Sequence, residues 1–244
     1  MAPTRARVPG IAPLASLLAA ALLAAGCVSA PRLEASKDTV ARMRRVVILT
    51  PRPPPLVINN MGVAMGFGVI GGLAQAQINL NNTKAFAAAV AEQKLNLTQP
   101  LVDALSQALA RDGYQVSVDA RQWPVKSADG KSDDFSAIKV DGDAILIAWF
   151  TIDGYMSDAN SIHYEPWVGI SVEMVDAATK QELYRKLIGV GWKMKIGNSV
   201  HLDADPTYRF RNYDAILSQA GKAVAGLNDC ARRAADQVGA DLAR

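Results

Sequence analysis

GDAILIAWFTIDGY, residues 142–155, decides how this chain is read. Asp141 and Gly142 form a turn signal, and the run that follows is apolar at both alternating sets of positions up to Phe150. A strand with one wet face alternates, whereas one without alternation is covered on both sides, so this segment reads as the central strand of a sheet. Other strands follow by the same rules. VVILTP (46–51) is a β-branched run closed by Pro51 and reads as a buried first strand; YQVSVDA (114–120) alternates as a further one. WVGISVEMVDA (167–177) and ELYRKLIGVGWKMK (182–195), joined by ATKQ, read as an antiparallel hairpin, with Gly189 and Gly191 predicting a bulge or bend in its second arm. Arg121 to Asp143 is loop-like, punctuated by Trp123-Pro124, Asp129-Gly130 and Asp141-Gly142.

Helical patterns fill the intervals. NNTKAFAAAVAEQKL (81–95) offers capping residues followed by good helix formers, and Asn96-Leu97 breaks it. A second helix has Thr98 as cap, Pro100 in its first turn and Leu101, Leu105 and Leu109 on one face, and it stops at Asp112-Gly113. A long helix runs from about Tyr213, where Tyr213, Leu217, Ala220, Val224, Leu227, Ala231, Ala234 and Val238 recur at spacings of four and three. The fold class is α/β (α+β): a mixed sheet of about four to five strands, packed helices, a glycine-rich apolar insertion after the first strand, and a long C-terminal helix.

That insertion, residues 53–83, carries no charged side chain. PRPPP (51–55) is held extended or turned, since proline lacks a donor and restricts its predecessor. In MGVAMGFGVIGGLA (61–74), Gly62 and Gly66 stand four apart, as do Gly68 and Gly72, a spacing that on a helix opens one face to close approach. Three readings stay open: a buried glycine-spaced helix or loop, a segment that inserts into a membrane or a partner, and a phosphate-cradling loop. The last has GFGVIG to support it but no feeding strand and no acid at the required distance. Gly62, Gly66, Phe67, Gly68 and Gly72 are the candidate membrane or partner contacts.

The chain of 244 residues is half apolar and one-fifth charged, enough for one domain with a sizeable core. At its start Arg5 and Arg7 precede an apolar stretch from Ile11 to Ala25, broken by Pro13, and Ala24, Ala25 and Gly26 lead directly to Cys27. That stretch is too short to span a bilayer and has the make-up of a secretory signal. It resembles the precursors of bacterial lipoproteins. The resemblance implies acyl chains on Cys27, cleavage before it, and, with Val28 rather than Asp next, placement on the periplasmic leaflet of the outer membrane. Residues 1–26 are then a signal peptide, 27–43 a lipidated tether, and 44–244 a single domain. Removing the signal takes away two arginines and no acid, so the formal charge falls from +3 to about +1, which argues against a dedicated nucleic-acid binder. With Cys27 a thioether, Cys230 has no partner within the monomer; it reads as a buried small hydrophobe, the alternatives being an intermolecular bridge or a reactive thiol.

The order of elements, through VVILTP, LVDALSQALARDGYQV, GDAILIAWFTIDGY and ELYRKL, also resembles a group of periplasmic lipoproteins that share a compact α/β domain. The group includes the curli secretion-channel lipoprotein, the lipoprotein activators of penicillin-binding proteins and the amino-terminal domain of the Tol system's propeller protein. No functional residue carries over, and the long alternating segments of curli-type membrane hairpins do not occur here.

Chemistry is sparse. HLDAD places His201, Asp203 and Asp205 at alternate positions, on one side of a strand, where a hard cation finds oxygens; a solvated loop running into Pro206 is the competing reading. ADGKSDD (128–134) reads as a turn. There is no GxSxG, HExxH or spaced CxxC. Arg185, Lys186, Lys193, Lys195, Arg209 and Arg211 gather late, with Tyr208, Phe210 and Tyr213 among them. Lys193, Lys195, Tyr208, Arg209, Phe210 and Arg211 are the candidate surface contacts, because arginine and aromatic side chains anchor interfaces; a solvated strand face is the competing reading. The expectation is a non-enzymatic envelope lipoprotein without cofactor or metal, working in assembly, secretion or wall maintenance. Its expected partners are the membrane through Cys27, an envelope protein and a second copy of the chain. The alternatives are an oligomeric channel-associated lipoprotein using the glycine-rich segment and a metal-dependent hydrolase using His201, Asp203 and Asp205.

Overall fold

The computed structural model describes residues 32–61, 68–130, 132–158, 163–193 and 199–244. In chain order its elements are α1 (Lys37–Arg42), β1 (Arg45–Leu49), β2 (Leu56–Asn60), α2 (Gly68–Glu92), α3 (Gln99–Arg111), β3 (Gln115–Asp119), β4 (Val125–Lys126), β5 (Asp133–Asp134), β6 (Ala144–Ser157), β7 (Glu165–Asp176), β8 (Glu182–Gly191), β9 (Val200–Leu202), a 3-10 turn (Pro206–Tyr208), α4 (Tyr213–Ser218) and α5 (Ala220–Asp241). The mixed α/β class is as expected.

β6 is the spine. One edge pairs antiparallel with β7 from Ala144 to Met156, and the other pairs parallel with two short strands in succession. β1 lies against Ala144–Ile147, and β2 against Asp153–Ser157. Between them runs the proline segment, whose rings cannot donate to the ladder, so one long edge is filled by two half-strands. β3 lies parallel outside β1; β8 follows β7 antiparallel, and β9 lies parallel on β8. The sheet has seven strands. The two beyond expectation are β2, hidden in the stretch read as insertion, and the three-residue β9.

The central strand is covered on both faces. Ala144, Leu146, Ala148, Phe150 and Tyr155 join the main core with α3 and α5, while Ile145 and Ile147 meet Leu49, Val175 and, from the 120–143 excursion, Phe135 and Ile138. The pairing of β6 with β7 shifts register between Phe150 and Ile152, and that of β7 with β8 between Met174 and Val175. The expected irregularity at Gly189 is therefore not there: the ladder runs through it in register. Gly191, by contrast, has φ +95°, and a Cβ on it would come within 1.8 Å of the Pro166 carbonyl oxygen.

α3 buries Leu101, Leu105 and Leu109 as its spacing predicts, and Gly113 at φ +85° ends it. The long helix expected from Tyr213 is two helices, broken at Gln219 (φ −126°, ψ 41°). The small-residue face is real: Ala220, Val224, Leu227, Ala231, Ala234 and Val238 are buried, and Gly239 lies so close to Ala108 of α3 that a Cβ would sit 2.9 Å away. Cys230 is buried and unpaired.

Two boundaries move. The helix expected from Asn81 begins at Gly68, so the second half of the uncharged segment is its first half. Arg32 to Met43, expected as tether, belongs to the packed body. Leu33 forms a two-bond bridge with Arg185, Ser36 caps α1 through the Thr39 N–H, and Val40 and Met43 enter the core.

Gly154 of β6 tests the spine. A Cβ there would lie 1.7 Å from the Val57 carbonyl oxygen in β2, with backbone rather than a yielding side chain in the way. Gly154→Ala is expected to cost about 3 kcal/mol or more, at the upper end for overpacking. Gly72→Ala, with nothing within 4 Å, is expected to gain up to about 1 kcal/mol from helix propensity. Urea midpoints of the two variants check both signs.

Candidate functional site

β2 is bonded to β6 along one edge, which leaves a second row of backbone groups to be satisfied. α2 satisfies them with side chains. Thr83 Oγ1 accepts from the Ile58 N–H at 2.9 Å and reaches the Ile58 carbonyl at 3.3 Å. Asn79 Oδ1 accepts from the Asn60 N–H at 3.1 Å, and its Nδ2 donates to the Asn60 carbonyl at 3.1 Å and to Asn59 Oδ1 at 2.6 Å. Gln75, one turn earlier, donates to Asn79 Oδ1 at 3.1 Å. Three polar residues at i, i+4 and i+8 thus serve as a substitute strand.

The first half of α2 thus inverts the usual amphipathic helix, which turns its apolar stripe inward as the second half does with Phe86 and Val90. Leu73 is 67% exposed, Ile78 49% and Leu80 47%. Leu73 and Leu80 stand a heptad apart on one flank, and Ile78 stands on the other. Between the flanks Gln77 and Asn81 bond to each other at 3.0 Å. Lys84 is the first charged residue of the helix, so its exposed first half has apolar and amide side chains only. Large apolar side chains clustered in solvent mark an interaction surface.

The residues singled out from sequence divide. Gly68 opens α2 and Gly72 lies in its second turn, half-exposed, with open space where a Cβ would go. Gly62, Gly66, Phe67, Lys195 and Cys27 lie outside the described residues. Lys193 is exposed just beyond β8. Tyr208, Arg209, Phe210 and Arg211 do not make one surface. Phe210 is buried, bridged through its backbone to Tyr164 and stacked edge-on against Tyr155 at 5.3 Å. Tyr208 lies half-buried against Gly226 of α5. Arg209 is exposed and paired with Glu165 at 3.0 Å, and Arg211 is exposed. Arg185 is taken up by Glu182 at 2.5 Å, with Glu173 at 3.8 Å. Arg185 and Arg209 of the late run are thus engaged in ion pairs within the body.

His201, Asp203 and Asp205 are likewise not assembled. His201 Nε2 is 3.8 Å from Asp203 Oδ1, whereas Asp205 caps the 3-10 turn by accepting from the Thr207 N–H at 2.8 Å, a bond that holds its carboxyl below the usual range. Among the described residues no group of three or more His, Cys, Asp or Glu is placed to hold a metal ion. Ser127, Asp129 and Gly130 form the turn of the β4–β5 hairpin, as read from ADGKSDD.

The perturbed groups lie in the interior. Burial pushes the Asp153 carboxyl up to about 8, and its Oδ1 has no hydrogen-bond partner among the described residues. Tyr155, whose hydroxyl donates to the Ala223 carbonyl at 2.9 Å, and Cys230 are raised by burial first, and Cys230 then by the neighbouring charge of Asp229. A thiol so raised stays protonated and is a poor nucleophile. Glu173 is pushed up to about 7 by burial and by Glu182. Lys186, 1% exposed on β8, pairs with Asp241 of α5 and with Glu34 at 3.4 Å, and Asp241 also accepts from the Tyr184 hydroxyl at 2.7 Å. These groups lock elements together. Leu73, Asn79, Leu80 and Thr83 did not stand out in the sequence; the signal that finds them is Gln75, Asn79 and Thr83 at a four-residue repeat inside an uncharged helix.

No family model matches the chain, and no curated protein matches it. Among solved structures it is similar to a PelC dodecamer from Paraburkholderia phytofirmans at 13% identity, over 89% of this chain and 96% of that one, with a TM-score of 0.37. It is also similar to a lipoprotein from Neisseria meningitidis at 13% identity, over 75% of this chain and 98% of that one, with a TM-score of 0.28. At scores this low neither likeness bears on what the chain does. Among the described residues no helix is long and apolar enough to cross a membrane.

Asp153 has a consequence for stability against pH. The unfolded carboxyl ionises near about 4, the folded one only near 8, so between these values the native state keeps a proton that the unfolded state has released. Stability therefore falls as pH rises through that window, and the loss is complete above the folded value. Asp153→Asn is expected to flatten this fall between pH 5 and 8 and to exceed the wild type in stability at pH 9. Urea midpoints of the two proteins, taken as a difference so that Glu173 cancels, measure the effect.

Proposed function

We propose that this chain is an acylated envelope lipoprotein, anchored through Cys27 on the periplasmic side of the outer membrane, that acts by contact with a protein partner. The observation that carries the reading is the inversion of α2, which turns its amides to β2 and Leu73, Ile78 and Leu80 to the outside. A helix that needed only to cover β2 has no use for leucines on its outer flanks. Their removal from water on docking is worth up to about 2 kcal/mol each, enough for a few such residues to anchor an interface. The uncharged stretch up to Thr83 favours the same reading, because an interface core is depleted of charge. Anchoring rests on the signal ending in Ala-Ala-Gly-Cys, since two or three acyl chains hold a protein to a bilayer almost permanently.

Two measurements test the proposal. Cys27→Ser is expected to lose the acyl mass and to leave the membrane fraction. A photo-crosslinking residue at Leu73 is expected to trap a protein adduct in intact cells, while the same residue at Lys126 traps none. Leu73→Ser combined with Leu80→Ser is expected to change stability by less than about 0.5 kcal/mol per site and to block capture by a crosslinker placed at Ala76. An acylated, correctly localised protein that gives no adduct from α2 contradicts the contact reading; an adduct of twice the chain mass assigns the partner as a second copy.

A further inference from the structure

We infer that the β4–β5 hairpin is a flap held down by the proton on Glu173: it lies on the sheet while that carboxyl is neutral and lifts when the carboxyl ionises.

The 120–143 excursion is fixed at two places. At one, the Trp123 indole donates to the Thr50 carbonyl at 2.7 Å, and Gln122 Nε2 donates to Asp119 Oδ2 and to the Lys139 carbonyl, both at 2.9 Å. At the other, Phe135 and Ile138 are buried in one cluster with Ile145, Ile147 and Val175, and Lys180 Nζ donates to the Ile138 carbonyl at 2.7 Å. The hairpin lies between these anchors. The bonds that shape it are its own: the pairings of Val125 with Asp134 and of Lys126 with Asp133, and a turn in which the Ser127 N–H donates to the Ser132 carbonyl at 3.0 Å. A short ladder pinned only at its base opens as a unit while the cluster beneath its anchors stays packed.

Glu173 is what the flap covers. It stands on β7 opposite Ile147 and two residues before Val175, on the face that the excursion packs against, and is 7% exposed. The charged groups around it are Glu182 and Arg185 of β8, Asp133 of β5 and Lys126 of β4. Asp134, the other acid of β5, accepts instead from the Ser136 N–H at 2.8 Å. Arg185 Nε is 2.5 Å from Glu182, whereas its other arm comes only within 3.8 Å of Glu173; Asp133 is taken by Lys126 at 2.9 Å. With Glu173 neutral the set is balanced, since Glu182 and Asp133 each have a cation. Ionising Glu173 adds a carboxylate without a cation of its own in a place that water reaches poorly, which is costly until the cover moves. Lifting the hairpin rehydrates that carboxylate and carries Asp133 away from it.

The direction follows from proton counting. Burial first, and Glu182 next, hold the covered carboxyl at about 7, whereas a hydrated one ionises near about 4. Between these values the closed flap keeps a proton that the open one has released. Opening therefore becomes easier as pH rises through the window, by at most about tenfold per pH unit for one proton, and levels off above the covered value.

Hydrogen exchange of the full chain from pH 5 to pH 8, read by mass spectrometry and corrected for the intrinsic pH dependence of exchange, tests the flap. Peptides spanning β4 and β5 are expected to exchange well ahead of those from β7 and to lose about tenfold or more in protection between pH 5 and pH 7. Glu173→Gln is expected to hold the hairpin at its pH 5 protection throughout. Glu182→Gln is expected to shrink the fall, because it frees Arg185 to pair with the ionised Glu173; this variant decides the matter if Glu173→Gln fails to fold. Hairpin protection that does not change with pH, a fall that survives undiminished in the variants, or a hairpin that exchanges together with β7 overturns the inference.

Discussion

A fourteen-residue strand needs neighbours along its whole length, and β6 has one long neighbour, the twelve-residue β7, on one side only. On the other side the chain contributes two five-residue pieces with prolines between them. Most of the architecture answers this shortfall. β1 and β2 run in the same direction along one edge of β6, and the chain returns from β2 to the parallel β3 through α2 and α3, which places helices over one face. β2 has no further strand beyond it, and α2 takes that place with side-chain amides and a hydroxyl. The inward-facing polar stripe follows from the open edge, and the outward-facing leucines follow from the stripe.

Much of this was legible in the residues. GDAILIAWFTIDGY is central because neither alternating set of its positions is polar enough to face water, and the leucine ladder of α3 and the alanine face of α5 are where their spacings put them. What local pattern does not carry is which backbone groups lack a partner. β2 was hidden because LVINN is short and follows four prolines, and its strand character depends on the distant edge of β6. The first half of α2 stands open in the sequence between helix and other readings because its glycines and Asn79 disfavour a helix on propensity, and the bonds to β2 explain why Asn79 stands there. The core position that consumes Phe210 is likewise set by a partner far along the chain, Tyr164.

The interior polar groups show the same division between sequence and context. Asp153, Glu173 and Lys186 look in the sequence like ordinary surface charges of strands, yet each is buried. Lys186 is matched by two carboxylates, while Asp153 is not matched and is held neutral instead. A buried carboxyl beside Tyr155 and a protonated Cys230 is a store of unfavourable energy that the packing of α5 on β6 must exceed.

Sealing a strand with amides rather than with another strand also limits what the sheet can become. A bare strand edge is a template, and crowded copies of the same chain would find one another's templates readily. With Asn79 and Thr83 already occupying the N–H and carbonyl groups of Ile58 and Asn60, those two positions have nothing left to offer a second strand. Crowding can then bring these molecules together through the outer surface of a helix, an association that side-chain chemistry can tune, instead of through backbone pairing, which tends toward fibres.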